Sequence, residues 1–125
     1  MADEDPSLES LPILDNNRLT ELSDGDMDFL IDLMGDYMGS LAELYDQLKA
    51  YAFLHDGENI RKISHSIAGS SANIGAARLS QAARQIETDV RHSDVESAVT
   101  RVRQIEDIVF DTREAISNYT NNSRF

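Results

Sequence analysis

The chain has 125 residues and no cysteine, which bounds it to about one domain and removes disulfides, thiol catalysis and thiolate metal sites. Hydrophobic residues make up 41% of it, enough for a packed core rather than a disordered chain. The formal net charge of −12 argues against nucleic acid and anionic membrane as partners, since both need a cationic face.

No apolar run approaches the length of a membrane span. The opening Met-Ala-Asp-Glu-Asp-Pro lacks the basic and apolar regions of a secretory signal, so the expected compartment is the cytoplasm. Residues 1–13 read as a flexible acidic segment, frayed over residues 1–10, with Leu11-Pro12-Ile13-Leu14 packing across the end of the fold. A short helix is expected from Arg18 to Leu22, ahead of Ser23 and Asp26 at capping-box spacing. A long helix follows from about Asp26 to Phe53, with Met27, Leu30, Ile31, Met34, Met38, Leu41, Tyr45 and Leu48 on one stripe. Gly35 and Gly39 each cost this helix about 1 kcal/mol relative to alanine; they mark either the close approach of a neighbour or an open surface. Phe29 and Leu33 fall off the stripe. Either the N-terminal segment covers them, or with Leu19 or Leu22 they form an apolar docking patch.

His55-Asp56-Gly57 reads as a turn with Asp56 or Gly57 as the next cap, and Gly75 as a helix stop. Between them Ile60, Ile63, Ile67 and Ile74 gather on one side of a helix, roughly opposite His65. Arg61 lies one turn before that imidazole and Gly69 one turn beyond it. The next helix buries Leu79, Ala82, Ala83, Ile86 and Val90, with Arg84, Glu87 and Arg91 on another side. Ser93 and Glu96 form a capping box for a last helix whose stripe is Val95, Val99, Val102, Ile105, Val109 and Ile116; residues 120–125 read as a polar tail. With no strand pattern, the expected fold is all-α: an antiparallel up-down four-helix bundle over residues 14–119, preceded by a short N-terminal helix.

Charge is unevenly placed along this chain. Residues 1–56 hold Arg18 and Lys49 against fourteen acidic residues, whereas residues 58–91 hold Arg61, Lys62, Arg78, Arg84 and Arg91 against Glu58, Glu87 and Asp89. The one locally positive stretch therefore carries His65, as a docking site for something anionic would. A neutral, exposed imidazole is a competent nucleophile near pH 7 and can accept and pass on a phosphoryl group. His55 in a turn and His92 near a helix end have ordinary structural readings. No carboxylate follows His65 at a spacing that would orient it, so a hydrolase triad is not expected. Three scattered histidines give no zinc spacing, and Gly69-Ser70-Ser71 lacks the lysine of a phosphate loop. No metal, nucleotide or other cofactor is expected, and the phosphoryl group has to come from another protein.

The run Ser64-His65-Ser66-Ile67-Ala68-Gly69-Ser70-Ser71-Ala72-Asn73-Ile74-Gly75-Ala76 closely resembles the signature of histidine phosphotransfer (HPt) domains, the four-helix bundles of two-component phosphorelays. The family pattern of His, two residues, Lys, Gly, five residues, Gly becomes His65, Ala68, Gly69 and Gly75. Downstream, Ile86-Glu87 followed by Arg91 resembles the family's Leu-Glu, three residues, Arg. The resemblance implies that His65 is phosphorylated and exchanges its phosphoryl group with an aspartate on a response-regulator receiver domain, which contributes the acidic pocket and the magnesium ion. It implies that Gly69 and Ala72 let the receiver approach, and that Glu87 and Arg91 flank the imidazole. The partners implied are a receiver domain, a sensor histidine kinase, or both, with the chain itself expected to be monomeric.

Ala68 departs from the pattern, because the family places lysine there. An exposed charge pair is worth about 0–1 kcal/mol, so its loss should weaken phosphate stabilisation without abolishing transfer, and Arg61, Lys62 or Arg84 would compensate in part. The rival expectation is a helical adaptor that binds a receiver or kinase without being phosphorylated; a structural dimerising bundle is a weaker third.

Overall fold

The structure, a computed structural model, describes residues 7–123. Within them the fold is helical, with a 3-10 turn at Leu8–Ser10 followed by α1 (Asn16–Ser23), α2 (Met27–Phe53), α3 (Gly57–Ile74), α4 (Ala77–Arg91), α5 (Val95–Gln104) and α6 (Glu106–Ser123). The all-α expectation holds, but the last helix is divided. The division falls at Ile105, a buried residue whose N–H still bonds to the Arg101 carbonyl and whose carbonyl accepts from Val109. The polar residues from Thr120 to Ser123 continue α6 rather than leaving it as a tail, and the Thr120 hydroxyl donates back to the Ile116 carbonyl.

Four helices, α1, α2, α3 and α5, start where a side-chain carboxylate satisfies orphan N–H groups of the first turn, whereas α4 starts at Ala76 with no side-chain cap. Asp15 accepts from the Asn17 and Arg18 amides, Asp26 from Phe29, Asp56 from Asn59 and Asp94 from Ser97. Ser23 and Ser93 are therefore not the caps. Ser23 ends α1, with its hydroxyl on the Thr20 carbonyl, and Ser93 sits at φ +59° in the turn before Asp94. Of the two choices at the α2–α3 turn, Asp56 is the cap.

The core is one cluster. It takes Leu30, Met34, Tyr37, Leu41, Tyr45 and Leu48 from α2, Ile60, Ile67 and Ile74 from α3, and Leu79, Ala82, Ala83 and Ile86 from α4. Val99, Val102, Val109 and Ile116 close it from α5 and α6. Tyr37 joins the stripe in place of Ile31, which is only half-buried, and its hydroxyl meets Ser71 Oγ at 2.7 Å inside the protein. Burial pushes the Tyr37 phenol up to about 12.

Small residues bring α3 and α4 together. Ser64, Ala68 and Ser71 on α3, Ala76 just before α4, and Ser80, Ala82 and Ala83 on α4 are all buried, and the Ser80 hydroxyl reaches the Ala68 carbonyl at 2.8 Å. The helices run antiparallel, so a Ser80–Ala68 contact places Glu87, two turns on, beside His65, one turn back. Gly75 makes the reversal between them. It adopts φ +84°, and a Cβ there would meet Arg18 Cβ at 3.1 Å, so both conformation and space call for glycine.

The N-terminal segment is tied down at this same corner. Arg78 donates from Nε to the Leu11 carbonyl and from its backbone N–H to Pro12, while Arg18 donates to the Asn73 carbonyl and side chain. The fraying expected over residues 1–10 lies outside the described residues for 1–6; residues 8–10 form the 3-10 turn. Gly35 and Gly39 have open space where a side chain would be, so they mark surface and not a close neighbour.

Candidate functional site

His65 is on the outer face of α3, opposite Ile60, Ile67 and Ile74, with its side chain 69% exposed. Gly69 leaves open space one turn on, and Ala72 is exposed two turns on. On a helix these three share a face within about 60° of one another. Nothing from α1 or the N-terminal segment among the described residues hydrogen-bonds to the ring or pairs with it.

The ring is nevertheless oriented. His65 Nδ1 lies 2.9 Å from Oε2 of Glu87 on α4, whose side chain is 8% exposed. A carboxylate only accepts, so Nδ1 carries the proton and Nε2 keeps its lone pair. Arg91, one turn further along α4, donates to the same Oε2 at 3.0 Å. No carboxylate on His65's own helix orients the ring; the one that does comes from the adjacent helix, at the position the family resemblance implies. Glu87 is twenty-two residues away in sequence, beyond any same-helix spacing, and arrives through the tight α3–α4 packing. It also leaves the outer side shared with Arg84 and Arg91 and lies largely buried.

The remaining cations around the ring divide by partner. Arg61 binds Glu58 at 2.8 Å, and this ion pair holds the Arg61 guanidinium charged above its ordinary range and the Glu58 carboxyl below its own. Lys62 and Arg84 are exposed and make no ion pair among the described residues. Lys62 precedes His65 by three residues and so neighbours it on α3. Arg84 lies on α4 between Ser80, which touches Ala68, and Glu87, which touches His65. Ala68 itself is 4% exposed and belongs to the α3–α4 seam rather than to the surface beside the imidazole.

The expected apolar docking patch is only partly present. Leu19 is fully buried, because α1 folds its one apolar ridge onto the core, and it is not available to a partner. Leu22 and Leu33 are half-buried against that core, whereas Phe29 is 53% exposed. Among the described residues no three His, Cys, Asp or Glu side chains converge as a metal site, and no helix is long and apolar enough to cross a membrane. A groove of about 680 Å³ between α2 and α6, lined by Tyr45, Lys49, Phe110 and Arg113, contains no histidine.

The Hpt domain family model matches residues 32–115. The chain is similar in fold to histidine-containing phosphotransfer protein B (HptB) from Pseudomonas aeruginosa PAO1, with a TM-score of 0.83 and 23% identity over 89% of this chain and 96% of that one. It is also similar to the HPT domain of the Hpt sensor hybrid histidine kinase from Shewanella, with a TM-score of 0.74 and 14% identity over 93% of this chain and 97% of that one. None of the curated proteins compared matches significantly. The match covers most of the long helix α2 and all of the histidine-bearing α3 and the glutamate-bearing α4 that build the site, and this chain belongs to the Hpt domain family.

Proposed function

We propose that this domain is a phosphorelay intermediate, with His65 Nε2 as the atom that accepts and returns the phosphoryl group. The observation that carries the reading is the 2.9 Å contact from Nδ1 to a buried carboxylate. In water a neutral histidine favours the tautomer with hydrogen on Nε2, which would block the outward atom. A hydrogen bond to a charged acceptor is worth about 1.5–3 kcal/mol, more than that small preference, so Glu87 reverses it and turns a lone pair to solvent.

The transfer then follows from the geometry. The Nε2 lone pair attacks the phosphorus of an aspartyl phosphate on a receiver domain, which stands alone or within a sensor histidine kinase. The P–O bond breaks, its electron pair stays on the aspartate oxygen, and Nδ1 keeps its proton, donated in a hydrogen bond to Glu87. Run backwards, the same steps return the group. Gly69 and Ala72 leave room for the receiver, which supplies the acidic pocket and its magnesium ion. Lys62 and Arg84, exposed and without an ion pair among the described residues, oppose the charge of the phosphoryl oxygens. Alanine at 68 replaces the lysine of the family pattern, and Arg84 stands on α4 between the Ser80 and Glu87 contacts with α3. Phe29 and the exposed edges of Leu22 and Leu33 would add apolar contact at the rim. The domain acts as a monomer in the cytoplasm, where receivers and kinase domains meet it.

Incubation with a phosphorylated receiver should place acid-labile, base-stable phosphate on the protein, and His65→Gln should remove it. Label that survives His65→Gln refutes the site. A receiver that binds but never transfers label to the wild-type domain supports the rival, a helical adaptor, for which Ala68 is the feature on this chain.

A further inference from the structure

Glu87 Oε2 is the shared atom of a three-residue chain, accepting from His65 Nδ1 at 2.9 Å and from Arg91 Nη2 at 3.0 Å. The cations around the ring otherwise have different occupations. Arg61 is committed to Glu58, and Lys62 and Arg84 have no ion-pair partner among the described residues. Arg91 alone of these four binds the carboxylate that binds the imidazole. Its own side chain is 60% exposed, so it is not there to fill the core.

Glutamate has three rotatable side-chain bonds, and one hydrogen bond to an exposed ring does not by itself hold a carboxylate in one orientation. A second donor on the same oxygen does, because turning Oε2 away from His65 also breaks the bond to Arg91. The spacing suits this: Arg91 follows Glu87 by four residues, neighbours on one helix face. We infer that Arg91 is a positioning residue that acts on His65 only through Glu87. It fixes Oε2 against Nδ1 and so keeps the proton on Nδ1 and the lone pair on Nε2. The kinetic consequence rests on the phosphorelay reading above; the tautomer is a property of the unphosphorylated protein.

A second arginine supplies the control. Arg101 on α5 donates to Asp89 Oδ2 at 2.6 Å and to Gln85 Oε1 at 2.9 Å, clamping the same stretch of α4 without touching Glu87. It supports the helix, whereas Arg91 supports the carboxylate.

The test is the ¹⁵N spectrum of His65 in the full chain, recorded well above the ordinary imidazole titration range, beside the rate of phosphotransfer from a phosphorylated receiver. Wild type should show hydrogen on Nδ1. Arg91→Ala should move the ring towards the Nε2–H tautomer and slow transfer about tenfold through kcat, with KM for the receiver unchanged. Arg91→Lys, whose ammonium reaches Glu87 at the same spacing, should restore most of both. Arg101→Ala should lower thermal stability and leave the tautomer as in wild type. An unchanged tautomer in Arg91→Ala overturns the inference. So does a rise in KM alone, which would make Arg91 a docking contact, or a tautomer shift in Arg101→Ala as large as that in Arg91→Ala. Wild-type protein that takes no label on His65 would instead sink the phosphorelay reading, and the tautomer comparison would stand apart from it.

Discussion

Two histidines in this molecule place Nδ1 at the same 2.9 Å from a glutamate oxygen, His55 against Glu96 and His65 against Glu87. Distance does not separate them; surroundings do. The Glu96 side chain is 82% exposed and the Glu87 side chain 8%. His55 sits in the turn after α2 at φ +53°, and its partner belongs to the first turn of α5, so the pair links two surface elements in water. His65 is mid-helix on α3, with its partner packed behind it and held by Arg91. Solvent competes for an exposed pair, which contributes little, whereas a carboxylate shielded by packing has few other donors to choose. A histidine–carboxylate contact thus becomes a means of orienting a nucleophile when the acceptor is buried, has a second donor, and leaves the far ring nitrogen open.

Substitutions at the two pairs should behave accordingly. The largest contrast is between the histidines themselves: His65→Gln should abolish phosphorylation by a receiver and His55→Gln should leave it unchanged, as read by radiolabel. Equal loss in both would erase the distinction. The packing behind His65 gives the next largest effect, and it is pH-dependent. Tyr37, bonded to Ser71 on α3, is raised from its ordinary 10 to about 12 by burial. The folded state therefore holds that proton more tightly. This stabilisation is fully present below about pH 10 and is lost as pH rises towards 12. At roughly 1.4 kcal/mol per unit it amounts to about 3 kcal/mol. Denaturant unfolding across that range should show the fall, and Tyr37→Phe should flatten it.

Removing the acceptors sharpens the comparison further. Glu87→Ala should slow transfer about 10- to 100-fold, the kinetic equivalent of a charged hydrogen bond, while Glu96→Ala should leave the rate alone. Stopped-flow transfer from the same receiver reads both. Smaller still is the effect of the two exposed cations beside the ring. Arg84→Ala or Lys62→Ala should change phosphohistidine lifetime by up to about fivefold, an effect that fades with salt, as an exposed charge does. Smallest is the stability change in Glu96→Ala, expected within about 0.5 kcal/mol of wild type by thermal unfolding.

The same contrast runs through what the residue pattern reveals. The isoleucine face of α3, the stop at Gly75 and the outward ring of His65 follow from helical periodicity and a glycine-specific turn, which are local properties. The break at Ile105 has no such sign, since neither glycine nor proline stands between Gln104 and Glu106. Ser23 and Ser93 read as caps from spacing alone because two acceptors compete at each helix start, and Asp26 and Asp94 reach the free amides. Leu19 looks like a docking residue on an isolated short helix, and only the docking of α1 onto the core buries it. Glu87 is the instructive case. By spacing it reads as one more charge on the outer side of α4, and only the motif it shares with the Hpt family pointed to the imidazole. Its role comes from a contact between helices, set by small residues such as Ala68 and Ser80 whose pairing no periodicity shows.

The central claim concerns one atom, and phosphorus–nitrogen coupling in the ¹⁵N-labelled, phosphorylated protein reads it directly. The account predicts a single phosphohistidine at residue 65 with the phosphorus on Nε2 and hydrogen still on Nδ1. Phosphorus on Nδ1 of His65, or on His55 or His92, would contradict it.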